Sequence, residues 1–148
     1  MRLRDAHRAC LESGAYLPLG TPEPHRAAAL PHLALANLRT FSRWERAIHR
    51  GDETALFRLG YDILHMLCEA FVRLEGWKAK THECLFAYLC ERHPELGLDW
   101  DAVDRLRQMR NRSLYYGEPL SFALWRNAAP TLKRHIAIMA RARPSGRN

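Results

Sequence analysis

From Ala27 to Arg141 the apolar side chains return at three- and four-residue spacing, and nowhere does an apolar-polar alternation run for the length of a strand. A chain with that single period folds by laying helices side by side. Leu30, Ala34, Leu38, Phe41, Trp44 and Ile48 make one stripe within residues 27–50, and Leu56, Leu59, Ile63, Met66, Leu67, Ala70 and Leu74 a second within 53–75. Leu85, Tyr88 and Leu89 mark a shorter helix over 81–92, and Trp125, Ala129, Leu132, Ile136 and Met139 the last one over 121–141. The breaks between them carry stop and start residues: Gly51 with Asp52 as N-cap, Gly76 with Thr81, Pro94 with Asp99, and Gly117 with Pro119. The expected fold is all-α, an antiparallel up-and-down bundle of four to five helices with no sheet, because short connections make successive helices neighbours. Pro130 is expected to kink or split the last helix.

The bundle occupies residues 27–142. Residues 1–26 read as an arm or short helix followed by the proline-rich loop GAYLPLGTPEPH, and residues 143–148 as a basic tail. With 148 residues, 47% of them hydrophobic, the chain has the apolar content for one packed core and no room for a second. No apolar run approaches the roughly 20 residues of a bilayer span, and the N-terminus lacks a signal-peptide core, so a cytoplasmic protein without membrane contact is expected. Cys10, Cys68, Cys84 and Cys90 include no CxxC pair, which predicts reduced thiols. Cys84, Cys90 and His93 lie close in sequence, but no second ligand pair has zinc spacing, and no glycine-rich phosphate loop occurs; neither metal nor cofactor is expected.

Charge narrows the class of partner. Lys and Arg number 23 against 16 Asp and Glu, a net charge of +7. Most of the cations are arginines, whose planar fork suits phosphate. They crowd into RQMRNRSLYYG, residues 107–117, with Arg105 just upstream. On a helix running from Asp99 to about Tyr115, Val103, Leu106, Met109, Ser113 and Leu114 share a stripe, and Arg110 lies in the middle of it. Arg105 and Arg112 fall on the opposite face and Arg107 at the stripe's edge. An unpaired buried guanidinium costs several kcal/mol. Arg110 therefore needs Asp62 or Glu69 inside the bundle, a second copy of the chain, or a bound phosphate, unless it snorkels past the core edge to water.

The same residues resemble a family signature. An Arg-Asn pair late in the penultimate helix of a small bundle, followed by a His or Tyr and a Gly, is similar to the motif of HEPN domains (higher eukaryote and prokaryote nucleotide-binding), usually Arg, four to six residues, then His. Here RNRSLYYG supplies Arg110, Asn111, and Tyr115 or Tyr116 in place of the His. GWKAKTHECLFAYL, residues 76–89, also resembles that family's link into its third helix. The resemblance, over about residues 27–142, implies a homodimer with the two motifs facing across a cleft. It also implies either a metal-independent endoribonuclease, in a toxin-antitoxin or phage-defence setting, or a member that only binds RNA. A nucleotidyltransferase or antitoxin is the protein partner it implies. The alternative is a catalytically silent scaffold for such a partner.

RNA cleavage without a metal needs a base for the 2′-hydroxyl, an acid for the leaving oxygen, and cationic donors for the phosphorane. Arg110 and Asn111 are the expected donors, with Tyr115 and Tyr116 as the remaining catalytic candidates. A histidine exchanges protons near pH 7; a tyrosine with an ordinary pKa of about 10 is ionised to about one part in a thousand there. A tyrosine can also hydrogen-bond or stack on a base. Arg107, Arg112, Lys78, Lys80 and His82 are the expected RNA contacts, and His82 is the histidine able to replace the missing one if its helix begins beside Arg110. Geometry sets one condition. Residues five apart diverge by about 140° around an intact helix, so Arg110 and Tyr115 converge only if the last turn unwinds or a second subunit contributes.

Overall fold

The computed structural model describes residues 1–20 and 24–142. They form α1 (Leu3–Glu12), β1 (Tyr16–Pro18), α2 (Pro24–Arg46), α3 (Glu53–Leu74), β2 (Trp77–Ala79), α4 (His82–Arg92), α5 (Trp100–Tyr115) and α6 (Phe122–Arg141), with a short 3-10 turn at Pro94–Leu96. The architecture is an all-α bundle, with six helices among the described residues where four to five were expected. None of them is long and apolar enough to cross a membrane. The tail from 143 onward lies outside the described residues.

α3 is the axis of the molecule and touches α2, α4, α5 and α6. Its sequence explains this, because Leu56, Phe57, Tyr61, Ile63, Leu64 and Cys68 are wholly buried and cover more than one face. A helix apolar on several sides has to be surrounded. Gly60 sets how close its neighbours come: a Cβ there would lie 2.6 Å from Leu132 Cδ2 on α6 and 2.8 Å from Phe41 Cε2 on α2. The expected stripes are inward with few exceptions. Trp125, Ala129, Leu132, Ile136 and Met139 are all buried, whereas Leu74 and Leu114 are exposed.

Three expectations need correction. The chain contains a sheet: β1 and β2 pair antiparallel, with Tyr16 opposite Ala79, Leu17 opposite Lys78 and Pro18 opposite Trp77. Strands of three residues are too short for alternation to register, and Pro18 is tolerated on a two-stranded edge. The thiols are not all reduced, since Cys10 and Cys84 form a disulfide while Cys68 and Cys90 stay free and buried. The bond exists because α1 packs on α4, with a Cα separation of 5.7 Å, a proximity that residues 74 apart in sequence do not announce. A cytoplasmic setting loses the support that four free thiols would have lent it.

Asp52 does not cap α3 with its side chain; α2 ends at Arg46, and the Asp52 carboxylate instead accepts from Trp44 Nε1 at 3.3 Å and the His49 amide at 3.1 Å. α6 continues through Pro130 without splitting. By contrast, Thr81 and Asp99 cap their helices as expected, accepting from the amides of Cys84 and Ala102, and Ser121 caps α6 by accepting from the Leu124 amide.

Candidate nucleic-acid interface

The carboxyl-terminal half of α5 and the start of α4 enclose a cleft of about 430 Å³, lined by Lys80, Thr81, His82 and Glu83 on one side and by Arg107, Arg110, Asn111 and Tyr115 on the other. The α5 wall follows from helical spacing: Arg107, Asn111 and Tyr115 are four apart, and Arg110 is three beyond Arg107. α5 stays helical through Tyr115, so the last turn does not unwind, and Arg110 and Tyr115 nonetheless both line the cleft. Long helical side chains lean toward the N-terminus, so residues on different faces of one helix can border the same broad opening. The α4 wall is aimed by β2, which runs directly into the Thr81 cap and brings Lys80 and His82 to the opening.

The cations of the cleft are held differently. Arg107 is bound to Asp104, with Nε at 2.8 Å and Nη2 at 2.7 Å from Oδ1, and reaches Glu83 at 3.9 Å. Its charge is largely answered within the protein. Arg110 is half-buried, lies over the ring of Tyr61 at 5.9 Å, and makes one long hydrogen bond of 3.4 Å to Asn111 Oδ1. Among the described residues no carboxylate pairs with it. Asp62 is exposed, and Glu69 is taken by Arg73, with both Nε and Nη2 at 2.8 Å from Oε1. Neither internal partner expected for Arg110 therefore holds it.

His82 sits against α3. Its Nδ1 is 3.0 Å from the Tyr61 hydroxyl, its ring stacks on Tyr61 at 5.7 Å, and the His65 ring lies 3.9 Å away. Burial pushes the Tyr61 phenol above its ordinary range, so it keeps its proton. That hydroxyl is wholly buried and Nδ1 is its acceptor, which leaves the second ring nitrogen of a neutral His82 carrying hydrogen. Burial, aided by His65 and Arg110, holds the His82 imidazole down at about 4, so it is neutral at pH 7. Nε2 makes no hydrogen bond within the described protein and is not sealed from solvent. His82 and Arg110 both lie against the Tyr61 ring and both line the cleft, and the free N–H of the imidazole is a donor open to solvent.

The fold thus brings six of the nine sequence candidates together: Lys80, His82, Arg107, Arg110, Asn111 and Tyr115. Lys78 lines an adjoining pocket, while Arg112 and Tyr116 do not line the cleft; Tyr116 is 77% exposed. Sequence reasoning missed Tyr61 and His65, the residues that orient His82. Their signal was present, since two polar rings four apart interrupt an otherwise apolar helix face. Among the described residues no three His, Cys, Asp or Glu side chains converge as metal ligands.

Set against known proteins, the chain matches no family model, no curated protein and no solved structure. Any reading of its function rests on the cleft.

Proposed function

We propose that this protein binds single-stranded RNA in the cleft between α4 and α5, as a HEPN-like domain whose motif histidine is replaced by tyrosine. The observation that carries the reading is Arg110, a half-buried guanidinium without a carboxylate partner among the described residues, lining a cleft that Lys80, Arg107 and His82 also line. A phosphate is the ligand that such a set of donors recognises. Lys80 adds charge at the mouth, and Tyr115, 70% exposed, offers a ring for a base to stack on.

Endoribonuclease activity is the second tier of the proposal. Arg110, His82 and Asn111 are placed to stabilise charge on a phosphorane, but the His82 lone pair that would act as base is engaged by Tyr61. Proton transfer then falls to Tyr115, to Tyr116, or to a second subunit. The toxin-antitoxin or phage-defence setting belongs to this tier.

Fluorescence anisotropy with labelled single-stranded RNA tests the binding. Affinity should fall as salt rises. Arg110→Ala should weaken binding by about tenfold or more, as expected for a charge-assisted bond of about 1.5–3 kcal/mol, while Arg105→Ala on the outer face changes it far less. Equal effects of the two substitutions in folded proteins would reject the cleft as the binding site. Cleavage, if it accompanies binding, should survive EDTA and leave 2′,3′-cyclic or 3′-phosphate ends; loss in EDTA with restoration by a divalent ion would refute that chemistry.

A different reading, docking of a protein partner such as a nucleotidyltransferase or antitoxin, is favoured by one observation. Leu114, Tyr115, Tyr116, Phe122 and Leu124 leave apolar surface exposed around the turn from α5 to α6. If RNA does not bind and blocking this turn abolishes complex formation, the scaffold reading replaces the first.

A further inference from the structure

A second pocket opens on the far side of His82. It holds about 180 Å³ and shares Lys80, Thr81 and His82 with the cleft, continuing it toward His65, Glu69 and Trp77. That volume is below the roughly 300–1,000 Å³ of usual small-molecule sites, so it suits one ring system and not a whole nucleotide. Its walls are those of a base pocket: the imidazoles of His65 and His82, the indole of Trp77, and the apolar side chains of Val72 and Leu85. One acceptor is built into it. Arg73 occupies Oε1 of Glu69 with two nitrogens, while Oε2 makes no hydrogen bond and lies 3.9 Å from His65 Nδ1. A carboxylate oxygen without a hydrogen bond on the wall of this pocket accepts from N–H groups and repels carbonyl oxygens, while Lys78 and Lys80 in the same lining can meet a base carbonyl or the flanking phosphate.

We infer that this pocket is a nucleobase subsite for the nucleotide whose phosphate lies at Arg110, and that Glu69 Oε2 makes it select guanine. Guanine presents N1–H and N2–H side by side on its Watson–Crick edge, and one carboxylate oxygen has lone pairs for both. Uracil presents a single N–H between two carbonyls, which the same oxygen repels. The inference rests on the RNA reading and deepens it, from a phosphate-binding cleft to one that reads a base.

The test uses the full chain and oligouridines that carry guanosine, inosine or no substitution at one central position. Inosine lacks the N2 amino group, so it probes the contact without altering the protein. The guanosine oligomer should bind about tenfold more tightly than plain oligouridine, with inosine between them. Glu69→Gln should erase the difference, and Arg110→Ala should still weaken the binding of every oligomer in that background. Should Glu69→Gln unfold because it weakens the contact with Arg73, the inosine series and Trp77→Ala decide alone, the latter reducing the guanosine advantage. Equal binding of all three oligomers, still sensitive to Arg110→Ala, would overturn the base pocket and leave the RNA reading standing. Binding of none of them, at low salt and with folded protein, would overturn both.

Discussion

His82 is held in one protonation state by the residues around it, and that has a consequence for stability. Burial lowers the pKa of His82 to about 4 and lowers His65 and His7 as well, against the opposing pull of Glu69 and Asp62 on His65 and of Glu91 on His7. A histidine whose folded pKa lies below its unfolded value of about 6.5 binds its proton more weakly when folded. Its contribution is therefore intact above about pH 6.5 and is lost as pH falls toward 4. The melting temperature should be flat from pH 8 to 7 and decline across that window, the fall between about pH 6.5 and about 5 being the part that the histidines cause. His82→Gln, which keeps a side-chain donor without a titrating ring, should shallow the decline. An unchanged slope would show that the His82 environment is not the one described. At the same scale, Tyr61→Phe removes the hydroxyl that fixes the tautomer and should weaken RNA binding several-fold without unfolding the chain.

At the scale of elements, the cleft depends on how α3 is gripped. α3 carries Tyr61 and His65 on the side facing α4 and α5, while Gly60 on the same helix takes the approach of α2 and α6. Gly60→Ala would press a methyl group into Leu132 and Phe41, and the cost of such overpacking is about 1–3 kcal/mol. The midpoint of urea unfolding should drop accordingly, although alanine is otherwise the better helix former. A stabilised Gly60→Ala protein would mean the three helices are not packed as described. The short sheet belongs to this scale too. By pairing Leu17 with Lys78 it anchors the segment leading into the Thr81 cap, and thereby places Lys80 and His82 at the opening.

Across the whole molecule, the Cys10–Cys84 bond ties the first helix to the wall of the cleft over 74 residues. Thiol titration of the denatured, unreduced protein should find two reactive groups, Cys68 and Cys90; four would refute the bond. Cys10→Ser should lower stability by up to about 4 kcal/mol on the chain-entropy account of a loop this long. Assembly is tested separately. If the exposed side chains of Leu114, Tyr115 and Tyr116 pair across a two-fold axis, light scattering at micromolar concentration should give twice the 17.2 kDa chain mass. A clean species of single-chain mass would remove the paired-cleft arrangement and leave the cleft within one chain to act alone.

The bundle itself was legible in the sequence because helix periodicity and capping are local: Thr81 and Asp99 cap the helices their neighbours predict, and the stripe on α6 is buried at every position read from it. Arg110 was legible for the same reason, as a charge set in an apolar stripe. What was not legible depends on contacts between residues far apart in the chain. The disulfide, the pairing of two three-residue strands, the choice of Glu69 for Arg73 instead of Arg110, and the Tyr61 hydroxyl on His82 all arise when elements meet. That Arg110 and Tyr115 line one cleft was hidden differently. Angular position on a helix is set by residue number, but where a long side chain ends is set by its lean along the axis and the wall it meets. Sequence by itself determined which helices form and which faces they bury; tertiary structure decided which polar groups face one another, because helix periodicity repeats within a dozen residues whereas a cleft is made where separate helices pack.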